Sequence, residues 1–162
     1  MAIPLGFLAN GAVSIINTHY MTEPVSFFFG LESRTDFLLR EAESHATYNW
    51  LNKNDEVEAV LLVSLKRPYH LNRPAYFSAF ADPPIAEIIT RGATTAEEVR
   101  QRLTAYGISH VSISAKWYEY DHKHELYSWP DAQRRAFETF ITKHCKPVFA
   151  AGKEVTYRIA TD

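Results

Sequence analysis

The sequence predicts an α/β domain with an open, mostly parallel sheet of about five strands, helices on both faces and a C-terminal β-hairpin. Two observations support this prediction. Segment 93–114 joins an amphipathic helix to the strand that follows it, and the upstream run 57–65 is apolar and short enough to be a buried strand. Strands that alternate with helices are typical of a sheet that carries helices on its faces.

The helix in segment 93–114 has clear start and stop signals. Thr94 or Thr95 can cap its N-terminus, and the two glutamates that follow bring negative charge to the positive end of the helix dipole. Gly107 ends the helix, because glycine readily adopts the left-handed backbone of a C-terminal cap. Val111 and Ile113 then lie in a strand.

The remaining elements follow from similar patterns of apolar residues and turn signals. They are a helix over 36–52 capped by Ser33 with a break near 43–44, a strand over 75–80, a helix from Pro83 or Pro84 to Gly92, a helix over 131–144, and a hairpin of 147–150 with 154–159.

The chain divides into an apolar and aromatic N-terminal segment, 1–31, and a single α/β domain, 32–162. The first seventeen residues carry no charge, are shorter than the roughly 20 apolar residues of a membrane span, and lack the basic start of a signal peptide. Two interpretations stay open: a strand and loop packed on the domain, or a juxtamembrane segment at the end of a membrane span.

Composition narrows the class of protein. With 46% hydrophobic and 22% charged residues among 162, the chain is typical of a folded globular domain rather than a disordered one. The net charge of −2 gives no reason to expect nucleic acid as a partner. The single cysteine, Cys145, excludes an internal disulfide and a multi-cysteine zinc site, and we expect it to be a partly buried thiol.

Candidate ligand-binding residues follow the predicted strands. Ligands of open α/β sheets gather beyond the carboxyl ends of the strands, which places Arg67, Tyr69 and Lys116 near such a site. Arg67 could bind an anionic or sugar-like group, or it could pair with Asp82 at the end of the next strand. In the alternative interpretation, Tyr69 is a loop residue whose side chain packs against the domain. The loop after the first strand, LKRPYH, has neither the dinucleotide-binding fingerprint nor a P-loop, so we expect no cofactor.

Two histidines, His122 and His124, lie in the polar segment 119–125 and could bind a metal ion. No additional histidine or cysteine stands at a standard ligand spacing, which favours a solvated loop and predicts no stoichiometric zinc. His110 lies between apolar residues of a predicted strand, where a hydrogen-bonded structural histidine is expected. The chain contains no G-x-S-x-G sequence, so a hydrolase triad lacks its nucleophile.

Several segments together resemble a known family. They are LESRTDFL, YNWLNKN, VEAVLLVSLKRPYHLNRPAYFSAFADPPIAEII, TTAEEVRQRLTAYGISHVSIS and KPVFAAGKEVTYRIA. From Leu31 onward the chain resembles the soluble C-terminal domain of bacterial polytopic membrane glycosyltransferases, the dolichyl-phosphate-mannose protein mannosyltransferase-like group. That group has glycine and arginine in the loop after its first strand; SLKRPYHLNRP keeps Arg67 and an aromatic residue but has no glycine.

The resemblance implies an extracytoplasmic (periplasmic) accessory domain of a membrane protein. In such transferases the catalytic carboxylates lie on loops between membrane helices, and the sugar donor is a polyprenyl phosphate. The parent protein would therefore be the glycosyltransferase, and this chain alone would carry no catalytic residue. The implied partners are the membrane-embedded part of the same protein and an acceptor protein or glycan.

Two other classes of protein stay open. One is a free-standing small α/β enzyme or ligand-binding module with its site at Arg67, Tyr69 and Lys116. The other is an interaction module that uses the aromatic residues of 27–29 and 117–120. The residues themselves identify neither the sugar nor its acceptor.

Overall fold

A computed structural model describes residues 29–34, 36–37, 44–65, 68–78, 83–116, 118–119 and 129–160. The chain divides into two compact units, Met1–Glu43 and Ser44–Asp162. In the first unit, the backbone N–H of Asp36 donates to Ser33 Oγ at 3.1 Å, which is the helix start expected there. All the elements named below belong to the second unit.

The second unit is built on a five-stranded mixed sheet. Its strands are β1 (Val60–Val63), β2 (Ala75–Tyr76), β3 (His110–Ser114), β4 (Cys145–Ala151) and β5 (Glu154–Ile159), in the spatial order β2-β1-β3-β5-β4. β1 pairs in parallel with β2 and β3, whereas β5 runs antiparallel to both β3 and β4. Only β5 therefore runs against the other strands of this sheet.

Four helices of the described chain pack on this sheet: α1 (His45–Lys53), α2 (Ile85–Ile89), α3 (Ala96–Ala105) and α4 (Asp131–His144). Helix α1 covers one face, where Tyr48 and Leu51 are buried with Val60 and Leu62 of β1. Helices α2, α3 and α4 cover the other face, and their buried side chains join those of Leu61, Val63 and Val111. The fold is thus α/β with helices on both faces, as the sequence predicts.

Local chemistry explains the best-defined helix, α3. Thr95 is its N-cap and forms a capping box, in which Thr95 Oγ1 accepts from the Glu98 N–H and the Glu98 carboxylate accepts from the Thr95 N–H. At the other end, Gly107 has a φ of 69°, the left-handed conformation that terminates a helix at low cost in glycine. Strand β3 follows directly.

Several predicted boundaries differ from those observed. β2 comprises only Ala75 and Tyr76, while residues 79–80 of the predicted strand lie outside the described chain. The predicted helix over 36–52 does break at Ser44, whose φ of 70° prevents helix continuation, and residues 38–43 are not described. Strand β4 begins at Cys145, immediately after α4, so the hairpin is longer than predicted.

No helix within the described ranges has the length and hydropathy needed to cross a membrane. The N-terminal residues 1–28 and the predicted apolar segment within them lie outside the described ranges.

Candidate functional site

The structure describes two of the three predicted ligand-binding residues, Tyr69 and Lys116. Tyr69 lies on a 3₁₀ turn, Pro68–His70, that packs against α1, and its side chain is 85% exposed. Lys116 is an exposed residue of the helical stretch that follows β3. Arg67, Asp82, His122 and His124 lie outside the described residues, so the anion-site and metal-site predictions for them stay predictions.

The turn that carries Tyr69 is fixed to α1 by one amide side chain. Asn52 Nδ2 donates to the His70 carbonyl, and the Asn72 N–H donates to Asn52 Oδ1, both at 2.7 Å. Within the turn, the Leu71 N–H donates to the Pro68 carbonyl at 2.9 Å. The alternative interpretation, in which Tyr69 packs against the domain, is wrong, because Tyr69 is largely exposed although the backbone of its turn is held.

Arg73 ties the end of the same segment to the C-terminus of α1. Its Nη2 donates to the carbonyl oxygens of Asn52 and Asn54, at 3.2 and 3.1 Å, and to Asp55 at 3.1 Å. A cation at a helix C-terminus satisfies carbonyls that have no partner within the helix. One nitrogen of the Arg73 guanidinium, Nη2, is therefore engaged in structural contacts.

A row of polar side chains lies beneath α1 on β3 and β5. The register places His110 beside Arg158, Ser112 beside Thr156 and Ser114 beside Glu154 on this face. All but Arg158 are buried. The Ser112 and Thr156 hydroxyls share a hydrogen bond of 2.8 Å, which compensates the desolvation of both.

Glu154 is the charged member of this row. Its Oε2 accepts a hydrogen bond from Thr47 Oγ1 at 2.5 Å, and its Oε1 accepts one from the Ser44 hydroxyl. Ser44 and Thr47 stand at the beginning of α1, where unpaired backbone N–H groups favour a negative charge. The buried carboxylate thus connects the start of α1 to the first residue of β5.

His110 is fully buried at the opposite end of the row. Ser109 Oγ accepts from the Glu58 N–H and donates to the Ala59 carbonyl, so it can accept the Nδ1 proton of His110 at 2.9 Å. This arrangement leaves Nε2, which has no hydrogen-bond partner, as the unprotonated nitrogen. Burial, with a further contribution from Arg158, lowers the pKa of His110 and keeps the ring neutral. The prediction of a hydrogen-bonded structural histidine is confirmed.

The backbone is strained where β1 ends. Ser64 has a φ of 57°, a left-handed conformation that non-glycine residues rarely adopt. Such conformations cost of order 1–3 kcal/mol and occur often at ligand sites. This position is the carboxyl end of a parallel strand, where ligands of open α/β sheets are expected.

On the opposite face of the sheet, polar groups serve the packing of helices. Gln133 of α4 is buried, and its Nε2 donates to the Glu87 carbonyl at 2.7 Å and to Thr90 Oγ1 at 2.9 Å. The Tyr118 hydroxyl donates to Glu138 at 3.1 Å, and burial raises the pKa of that phenol. Burial also raises the pKa of the Cys145 thiol to about 12, as expected of a partly buried, unreactive cysteine.

Two other features of the described chain lack the chemistry of a site. The open groove between α3 and α4 is bordered by Thr95, Arg135 and Thr139, but the capping box of α3 already occupies the N-terminal groups there. Among the described residues, no cluster of three His, Cys, Asp or Glu side chains could hold a metal ion.

Sequence reasoning missed the polar row and the Glu154 contacts. The alternation of polar and apolar residues in HVSIS and EVTYRI was a usable signal, because side chains two positions apart lie on the same face of a strand. The pattern alone does not show whether this polar face meets solvent or lies beneath a helix. In both strands it lies beneath α1.

The chain was compared with known proteins. No family model and no curated protein matches it. Among solved structures it is similar to the C-terminal globular domain of an oligosaccharyltransferase from Archaeoglobus fulgidus, at 14% sequence identity and a TM-score of 0.45. The match covers 71% of this chain and 95% of that domain. A TM-score this low does not establish a shared fold.

Proposed function

We propose that this chain is an accessory domain of a membrane glycosyltransferase-like protein. It lies on the extracytoplasmic side, assists sugar transfer from a polyprenyl-phosphate donor, and is not catalytic alone. Its partners are the membrane-embedded part of the same protein and an acceptor protein or glycan, and its α/β domain spans 32–162 after an N-terminal segment, 1–31. Support comes from the sequence resemblance, whose segments run from Leu31 to the end of the chain in the order of the family.

One observation carries the non-catalytic part of this proposal: most carboxylates of the described chain are engaged in structural contacts. Sugar transfer needs a carboxylate that can face the reacting hydroxyl as a base or the sugar as a nucleophile. The engaged carboxylates are Asp55 with Arg73, Glu56 with Arg158, Glu97 with Arg100, Glu98 in the α3 cap, Asp131 with Arg134, Glu138 with Tyr118, and Glu154 with Ser44 and Thr47.

The location can be tested in cells that express the native gene. An antibody against this chain should detect a membrane-bound band much larger than 162 residues, and protease added to spheroplasts should destroy the epitope. A cytoplasmic marker protein is the control for intact spheroplasts. A soluble band of the size of this chain, protected from external protease, would contradict the proposal.

Activity can be tested with the purified chain. We expect no glycosyl transfer from radiolabelled polyprenyl-phosphate sugars or nucleotide sugars to lipid, peptide or saccharide acceptors. Turnover of any lipid-linked or nucleotide sugar by the purified chain would assign catalysis to this domain and refute the non-catalytic role.

The strained Ser64 favours a second candidate, a small ligand-binding module or enzyme with its site at the carboxyl ends of the strands. In that case Arg67 binds an anionic or sugar-like group. Arg67→Ala would then lower ligand affinity without changing the melting temperature. A lower melting temperature with no effect on any ligand would instead identify Arg67 as part of a structural ion pair.

A further inference from the structure

We propose that Tyr69 and the turn that carries it form a saccharide-binding surface. This inference rests on the proposed function, because it names the class of molecule that the accessory domain holds. The first observation is exposure: Tyr69 is 85% exposed, more than any other large hydrophobic residue described. Burying an aromatic ring stabilises a fold, and this ring contributes little of that stabilisation.

The second observation is that the backbone beneath the ring is fixed. Both ends of the Asn52 amide bond to the turn at 2.7 Å, and Pro68 at its beginning restricts the backbone further. An aromatic residue on a fixed backbone loses little conformational entropy when a ligand binds. The turn therefore presents an exposed aromatic ring on a fixed backbone.

The third observation is the chemistry around the ring. His70 and Asn72 are exposed neighbours in the chain, and the His70 ring lies edge-on to His45 at 5.8 Å between centroids. A pyranose presents a face of C–H groups, which stacks on an aromatic ring, and a rim of hydroxyls, which bonds to imidazole and amide groups. One aromatic ring among planar polar side chains suits that ligand.

The same surroundings disfavour the main alternative, an apolar segment of a partner protein. Protein hot spots bury their aromatic anchors in apolar pockets that exclude water. Leu71, the apolar residue nearest in sequence, is directed into the cluster beneath α1, and the exposed neighbours on the turn are polar. Arg73 Nη2 is held by Asp55 and by two helix carbonyls, and the nearby Asp55 carboxylate offsets part of its positive charge, which disfavours a purely anionic ligand at the described turn.

The test is a titration of the complete 162-residue chain with neutral oligosaccharides of mannose and of glucose, followed by NMR of the tyrosine ring signals. We expect the Tyr69 signals to shift with saturation, and Tyr69→Ala to weaken binding by about tenfold or more. Tyr69→Phe keeps the stacking face and should bind almost normally. Tyr106→Ala, at another exposed tyrosine (51%), is the matched control and should bind as the unaltered chain does.

Three results would overturn the inference: no saccharide shifts the Tyr69 signals, Tyr69→Ala binds as well as the unaltered chain, or Tyr106→Ala loses the same affinity. A shift with inorganic phosphate and none with saccharides would also overturn it. Because Tyr69 is exposed, its variants should keep the melting temperature of the unaltered chain, so a loss of binding is not a loss of folding. Membrane attachment is measured separately, so failure here leaves the proposed function intact.

Discussion

The two faces of the sheet are buried by different chemistry. Beneath α2, α3 and α4 most contacts are aliphatic and aromatic, Phe137 and Phe140 are among the fully buried side chains, and Gln133 adds hydrogen bonds between helices. Beneath α1, an aliphatic half on β1 adjoins a polar half on β3 and β5 that includes Glu154. Apolar burial is non-directional, whereas hydrogen bonds require particular partners at particular distances. The first face therefore supplies most of the stability, and the second fixes where α1 lies.

The largest effect is expected on the apolar face. Phe137→Ala removes a fully buried ring and should lower the free energy of unfolding by about 3–5 kcal/mol, because the surrounding helices cannot fill the cavity. Urea unfolding followed by circular dichroism measures this. Ile88→Ala, at an exposed position of α2, is the control and should change stability little. A loss below 1 kcal/mol for Phe137→Ala would show that this face is loosely packed.

A smaller and more local effect is expected at Glu154. Glu154→Ala leaves the buried hydroxyl of Thr47 and that of Ser44 without their acceptor, which should cost about 1–3 kcal/mol. Limited proteolysis should then cut within α1 before it cuts α3 or α4. Glu154→Gln keeps an acceptor oxygen and should be milder. If α1 stays as resistant in Glu154→Ala as in the unaltered chain, the carboxylate does not hold this helix.

The hydroxyl pair beneath α1 allows a double-mutant cycle. Ser112→Ala or Thr156→Val alone leaves one buried hydroxyl unpaired and should cost about 1 kcal/mol or more. The double variant removes both hydroxyls and should be less destabilised than the sum of the single changes. Additive losses would mean that the 2.8 Å contact contributes no coupling.

The smallest effect concerns pH. Burial lowers the pKa of His110 below its ordinary 6.5, so below about pH 6.5 the unfolded chain binds a proton that the folded chain does not. The contribution of neutral, buried His110 to the free energy of unfolding is therefore complete above about pH 6.5. It decreases as the pH falls below this value, by at most about 1.4 kcal/mol per pH unit. Comparing urea unfolding at pH 7.5 and 5.5 measures the slope. It should be smaller in His110→Gln, and an equal slope would assign the dependence to other groups.

Local signals made one part of the fold predictable from the sequence. The ends of α3 are set by Thr95 and Glu98 at one end and by Gly107 at the other, all close together in the chain. The uninterrupted apolar run of β1 likewise indicates a strand buried on both faces. β2 is shorter than predicted because pairing with β1 joins only Ala75 and Tyr76, and propensity alone does not set the length of an edge strand.

Long-range contacts made the candidate site less predictable. Glu154 accepts a hydrogen bond from Ser44, which lies 110 positions earlier in the chain. No local sequence pattern therefore predicts this contact. Tyr69 is a candidate because it follows β1, but the turn that carries it is held by Asn52, which belongs to α1, the helix that precedes β1 in the chain. Position after a strand identifies a candidate, and tertiary contacts decide how its side chain is presented.

Hydrogen exchange of the backbone amides tests the difference between the two faces most directly. Because α1 is held by a smaller apolar cluster and by hydrogen bonds to Glu154, its amides should exchange through local opening, at a lower free energy than those of α3 and α4. In Glu154→Ala the protection of α1 should fall further while that of α3 stays higher. Exchange of α1, α3 and α4 at one common free energy, in both proteins, would contradict the account.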